Sequence, residues 1–94
     1  INQEPQLARR HVKLGLALLQ RMPDYQAVQM TRIDLYHNAS FLDLKTQPES
    51  ALYYLEQAQA LQKKLPYRWS ITYSNLGLLY EYQGAYQQAL YYYQ

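Results

Sequence analysis

Cysteine is absent from all 94 residues. Its absence excludes disulfide frameworks, thiolate metal sites and cysteine nucleophiles, and leaves the redox compartment unmarked. Long apolar runs are missing too: Leu16-Ala17-Leu18-Leu19 falls far short of the roughly 18–20 residues that a membrane-spanning helix needs. No basic stretch followed by an apolar one opens the chain as a secretory leader would. Blocks of one charge sign are also lacking. Nine basic and seven acidic side chains are spread along the sequence, a formal charge of +2, which points to neither nucleic acid nor a membrane surface as partner. The three glycines, at 15, 77 and 84, stand apart, so there is no Gly-rich phosphate loop. Ile1 is not a natural start and the pattern is still running at Gln94, so the sequence reads as a window of a longer protein. Its compartment therefore stays open: cytoplasmic, or periplasmic if the parent is a membrane sensor.

Tyrosine is what the chain has in abundance, twelve residues against one Phe and one Trp. A large apolar ring with a polar tip suits positions buried at one end and wet at the other, which thin helical layers provide. Turn signals at Pro23-Asp24, Thr46-Gln47-Pro48, Pro66 and Gln83-Gly84 divide the chain into segments with apolar residues three and four apart. Five helices are predicted. The first covers about 5–22, with Pro5 in its first turn and Leu7, Val12, Leu14, Leu18 and Leu19 on its apolar side. The second covers about 24–45, capped by Asp24, its core face reading Val28, Leu35, Ala39 and Leu42. The third covers about 48–65, with Ala51, Leu55, Ala58 and Leu61 on one stripe. The fourth runs over about 67–83, with Gly84 as the left-handed residue after it, and the fifth begins near Ala85. Short connections make successive helices antiparallel neighbours.

The sequence also repeats itself. Ala-Leu-Tyr-Tyr occurs at 51–54 and again at 89–92, a shift of 38. The same shift sets Ile33 over Ile71, Leu35 over Tyr73, Ala39 over Gly77, Leu42 over Tyr80 and Asp43 over Glu81. At a shift of 43 the first helix matches the third: Ala8 over Ala51, Val12 over Leu55, Gly15 over Ala58, Leu18 over Leu61 and Pro23 over Pro66. Calling the two helices of a hairpin A and B, the order is B-A-B-A-B. The leading helix occupies 1–23 and the hairpins 24–66 and 67–94. Ala39, Gly77, Ala51 and Ala89 are expected where helices cross closely, since only small side chains fit there.

Tyr73, Leu76, Gly77, Tyr80, Gly84, Tyr86, Ala89 and Tyr93 resemble the tetratricopeptide signature in type and spacing. Leu35, Ala39, Leu42, Ala51, Leu55 and Ala58 form a degenerate second copy, with Asn38 where Leu is usual and Thr46 in place of the turn glycine. The resemblance implies an all-α right-handed solenoid whose concave groove receives a peptide or helix of a protein partner. By matching positions the groove residues are Tyr36, His37, Ser40 and Asp43 from one repeat and Ser74, Asn75, Leu78 and Tyr82 from the next. Asn75 is singled out because an amide can both donate to and accept from a ligand backbone. The long second helices, ending in Lys-Lys-Leu, also resemble repeats attached to bacterial histidine kinases and transcription regulators. On that alternative the segment relays a signal or forms a homodimer through exposed end helices.

Other chemistry finds little support in the residues. His11 and His37 lack companions at metal-ligand spacing, although Asp34 lies three before His37, so neither metal nor cofactor is expected. Asp43 and Glu81 invite an acid–base reading, but repeats reproduce surface polarity as readily as core. Arg9, Arg10 and Lys13 cluster as a phosphate contact would, yet without the charge excess that nucleic-acid binding requires. No nucleophile, base and electrophile assemble into an enzyme site. In the run Tyr91-Tyr92-Tyr93 three successive helix positions cannot face one layer; Tyr93 is expected in the core. Trp69 is expected to pack near Met30 and Thr31.

Overall fold

The computed structural model describes the backbone of residues 3–94 and the side chains from Gln6 onward. Ile1 and Asn2, part of the expected leading segment, lie outside the described residues. The described chain is all-helical: α1 (Gln3–Leu19), α2 (Gln26–Asp43), α3 (Pro48–Gln62), α4 (Trp69–Tyr82) and α5 (Tyr86–Tyr93), with no strand among these residues. α2 packs against α1, α3 and α4, α3 also against α4, and α4 against α5, whereas α1 packs against α2 alone. The Cα atoms occupy 40 × 37 × 17 Å, a slab thin enough for two layers of helices at their usual spacing of about 8–10 Å.

Helix ends follow local chemistry, with two corrections. Asp24 does not cap α2. The N-cap is Tyr25, with no side-chain hydrogen bond, while Asp24 accepts from the Gln29 amide and lies 3.6 Å from Arg32. Pro48 opens α3, where its missing N–H costs nothing. α3 ends at Gln62, short of Leu65, because the chain tightens into Lys64 N–H to Leu61 C=O before Pro66. Gly84 adopts φ +77°, and Ala85 N–H to Tyr80 C=O (2.8 Å) with Gly84 N–H to Glu81 C=O (3.0 Å) closes α4 in a Schellman motif. Arg68 is the other positive-φ residue, at 58°. It is held there by its ion pair with Asp34 (3.2 Å) and by stacking on Tyr67.

Contacts between neighbouring helices run in opposite senses, so neighbours are antiparallel. Arg9, Gly15 and Leu19 of α1 meet Asp43, Leu35 and Arg32 of α2. Leu55 and Gln62 of α3 similarly meet Leu76 and Thr72 of α4. The buried cluster is Leu44, Ala51, Leu55, Leu76 and Leu79, covered by Leu52, Leu78, Tyr80 and Tyr92.

The geometry sets the register of the first helices at 37, one less than the shift of 38 read from Ala-Leu-Tyr-Tyr. Tyr36 stacks on Tyr54 at 6.2 Å, and Tyr73 stacks on Tyr92 at the same distance. The partners are 38 apart in the second helices but 37 apart in the first. Ser40, not Ala39, is therefore the counterpart of Gly77, and both are buried. Ala39 corresponds to Leu76: it turns toward α1, as Leu76 turns toward α3. The second hairpin is longer by one residue between its stacked tyrosines, and its turn carries the left-handed Gly84, which the first turn lacks.

Burial differs from expectation at both ends. Val12 and Leu19 are buried, but Leu7, Leu14 and Leu18 of α1 face solvent. Tyr93 is not a core residue; it remains 46% exposed, and the ring that packs inward is Tyr92, against Tyr80 at 5.6 Å. Trp69 stacks on Tyr73 at 5.5 Å. Tyr93 lies over Gly77, where an added Cβ would come within 2.7 Å of its Cδ1. Gly77→Ala is expected to push Tyr93 outward, breaking its hydrogen bond to Glu81, at a cost of about 1 kcal/mol; Gly77→Leu overpacks by about 1–3 kcal/mol or more. Urea denaturation checks both, and a Leu variant with the parental midpoint would show that this crossing is not tight.

Candidate functional site

Where α2 and α4 meet, most polar groups satisfy one another. The Thr72 hydroxyl donates to Gln62 Oε1 (3.0 Å), so its oxygen is left to accept from His37 Nε2 (2.6 Å). Gln62 Nε2 then donates to the Tyr67 carbonyl (2.7 Å). This chain crosses from α2 through α4 to α3 and ends on the turn before α4. It fixes the tautomer with the proton on Nε2 and leaves His37 Nδ1 an acceptor without a partner. Beside it Asn75 donates to Ser40 Oγ (3.1 Å) and to the His37 carbonyl (3.4 Å), while Ser40 Oγ donates to that same carbonyl.

Asp43 anchors a second network. It accepts from Arg9 Nε (2.9 Å) and Ser50 Oγ (2.7 Å), and Arg9 reaches on to the Leu42 carbonyl. One buried carboxylate thus links α1, α2 and α3. Glu81 lies elsewhere, exposed and accepting from the Tyr93 hydroxyl, so the two carboxylates share no site. Among the described residues no three metal-binding side chains gather.

Four of the eight expected groove residues, His37, Ser40, Asp43 and Asn75, are therefore buried in internal hydrogen bonds. Tyr36 is half-buried against Tyr54. Ser74 and Tyr82 are exposed and Leu78 half-buried; spaced by four along α4, these three share one face. In the register of 37 their counterparts are His37 and Phe41 on α2 and Lys45 in the turn that follows it, and Asn38 corresponds to Asn75. Phe41 is exposed, and the Lys45 ammonium stands 6.0 Å from the centroid of the Tyr82 ring, joining the two helices across the surface. Phe41 and Lys45 were missed because the shift of 38 passed over them. Matching Asn38-Ala39-Ser40 with Asn75-Leu76-Gly77 would have found them.

Burial holds the His37 pKa below the ordinary imidazole value; Asp34 opposes that shift and Arg68 adds to it. A base whose folded-state pKa is depressed binds its proton more readily when unfolded. Stability is then complete above the unfolded value near 6.5 and falls as the pH drops below it. Chemical denaturation at pH 7.5 and pH 5 should show this loss, and His37→Gln should reduce the pH dependence. An equal loss in that variant would assign the effect to other groups. Comparison with family models, curated proteins and solved structures finds no match to this chain.

Proposed function

We propose that this chain is a tetratricopeptide-type interaction module, a B helix followed by two A-B hairpins in a right-handed solenoid, which binds a peptide or helix of another protein. The observation that carries this reading is the recurrence of contacts from one hairpin to the next. Ser40 and Gly77 occupy matching crossings, the Tyr36–Tyr54 and Tyr73–Tyr92 stacks match, and Ala39 and Leu76 each turn toward the helix before. A fold that builds both hairpins alike puts corresponding faces of α2 and α4 side by side.

On those faces Phe41, Lys45, Ser74, Leu78 and Tyr82 combine an apolar surface, a cation, a hydroxyl and aromatic rings without a shared structural task. Such a mixture suits an extended or helical peptide carrying alternating apolar and polar groups. The reading requires no cofactor and no catalytic group.

The alternative, a relay or dimerisation segment of a bacterial regulator, is favoured by the exposed Leu90 and Tyr91 on α5. Light scattering separates the two, since a dimerisation segment changes mass with concentration.

The direct test selects peptides from a random library on the 94-residue chain and measures their affinity for variants. Tyr82→Ala alone is expected to weaken the selected peptide without lowering the melting temperature, and Leu78→Ala with Tyr82→Ala to weaken it at least about tenfold with some loss of stability, because Leu78 also packs on the core cluster. Asn75→Ala should do the reverse, costing about 1–3 kcal/mol of stability because Ser40 loses its donor. Full affinity in the double variant would remove the α4 face from the site.

A further inference from the structure

We propose that the recess between α1 and α3 binds a small organic acid, a carboxylate on a short apolar body, about four to six heavy atoms in all. The site goes beyond the peptide reading and does not depend on it. Its floor is Ala39 and Asp43 of α2, and Ala39 is two positions from Phe41, about 200° around the helix, so the recess and the Phe41 face lie on opposite sides of α2.

The second repeat shows what this place holds when it is filled. Between α3 and α5, across α4, Leu52, Leu55, Leu76, Tyr80 and Tyr92 belong to one apolar cluster, with Tyr80 stacked on Tyr92 at 5.6 Å. The registers of 43, 37 and 38 carry these five residues back to Arg9, Val12, Ala39, Asp43 and Tyr54. In the first repeat those same five line a recess of about 130 Å³, with Lys13, Gln47 and Ser50 completing the wall. Two exchanges open it, Ala39 in the place of Leu76 and Asp43 in the place of Tyr80, each the smaller side chain. A third, Arg9 in the place of Leu52, makes it polar. All of the wall comes from α1, α2, α3 and the turn between the last two, and the exposed Leu7, Leu14 and Leu18 take no part in it.

The side chains around the recess select the ligand. Asp43 is buried and already answered from within, by Arg9 Nε at 2.9 Å and Ser50 Oγ at 2.7 Å. What remains are donors. Among the described residues Arg9 directs Nε to Asp43 and Nη2 to Asp43 and the Leu42 carbonyl, which leaves Nη1; the Lys13 ammonium has no ion pair and the Tyr54 hydroxyl no hydrogen bond. Two cations and one carboxylate leave an excess of one positive charge, which matches a monoanion that only accepts hydrogen bonds, as a carboxylate does. Val12 and Ala39 offer an apolar wall to the rest of the molecule. A cavity of roughly 150 Å³ holds benzene, so a recess of this size has room for a carboxylate and a chain of about three carbons.

The test titrates isotope-labelled 94-residue chain with butyrate at neutral pH. Saturable amide shifts are expected at Val12, Lys13, Ala39, Asp43 and Tyr54, with a Kd on the order of millimolar, as suits a ligand of about six heavy atoms. Acetate should bind more weakly, and butyramide, with the same shape but no charge, about tenfold more weakly or worse. Lys13→Gln with Tyr54→Phe should weaken butyrate about tenfold at the parental melting temperature, because Lys13 is exposed and Phe keeps the stack on Tyr36. Ala39→Leu, which copies Leu76, should abolish the shifts in a chain that still shows folded amide dispersion. Shifts that never saturate, or that spread over Arg10, Arg21, Lys63 and Lys64, would overturn the site in favour of general anion screening. Parental affinity in Lys13→Gln with Tyr54→Phe, or in a folded Ala39→Leu, would overturn it as well. An acetylated tripeptide ending in a free valine carboxylate that binds at the same amides ten times more tightly than butyrate would overturn assignment to a free acid and give the carboxylate to a peptide. The α4 face is judged by the library-selected peptide, so failure of one site leaves the other standing.

Discussion

Much of this structure depends on a buried row of hydrogen bonds running from His37 through Thr72 and Gln62 to the Tyr67 carbonyl. Each link is worth only about 0.5–1.5 kcal/mol net, but removing one member strands a buried polar group at a cost of about 1–3 kcal/mol. The row is directional. Gln62 uses its amide on a backbone carbonyl, so its oxygen must accept; Thr72 must then donate onward and His37 must supply its Nε2 proton. That sequence of constraints holds α2, α3 and α4 in one relative position. Apolar packing by Leu55, Leu76 and Leu79 alone would tolerate sliding.

The same constraint explains why half of the expected groove is internal. His37, Ser40 and Asn75 stand on the faces of α2 and α4 that meet each other, and there His37 Nε2, the Ser40 hydroxyl and the Asn75 amide N–H groups are used on internal partners. Polar residues at a spacing shared by two helices are compatible with a ligand groove or with a helix–helix seam. Sequence position does not separate these, because hydrogen-bond partners 35 to 38 residues away decide the matter.

Helix number, helix order and the Gly84 stop were legible because each rests on local chemistry: periodicity, proline placement and a left-handed residue. The register of the first helices was not. Ala-Leu-Tyr-Tyr aligns the second helices correctly, but the second hairpin is one residue longer than the first between its stacked tyrosines, and a fixed shift carries that residue into α2. One position is about 100° around a helix, enough to exchange a face toward α3 for a face toward α1. Tyr93 fails for a related reason. Gly77 leaves room for the ring to lie across α4 while its hydroxyl reaches Glu81 at the surface, so the adjacent Tyr92 takes the inner place.

The exposed surfaces follow from position along the stack. α2 packs against three other helices, so Ile33, His37, Ser40 and, at its C-cap, Leu44 are buried; the matching Ser70, Ser74 and Glu81 are exposed, since among the described residues α4 has no further first helix packed on that face. Gly77 escapes this rule only because Tyr93 covers it. At the other end Asn38 is open where Asn75 is closed, and α1 presents the leucine stripe that α3 turns inward in the form of Tyr54, Gln57 and Leu61. Each open position is thus accounted for by a missing neighbour rather than by loss of the repeat pattern. The exceptions are Phe41, Lys45, Leu78 and Tyr82, which lie across the stack, not at its ends, and remain accessible in both hairpins; on that ground they are the better candidates for a ligand that the repeat itself does not supply.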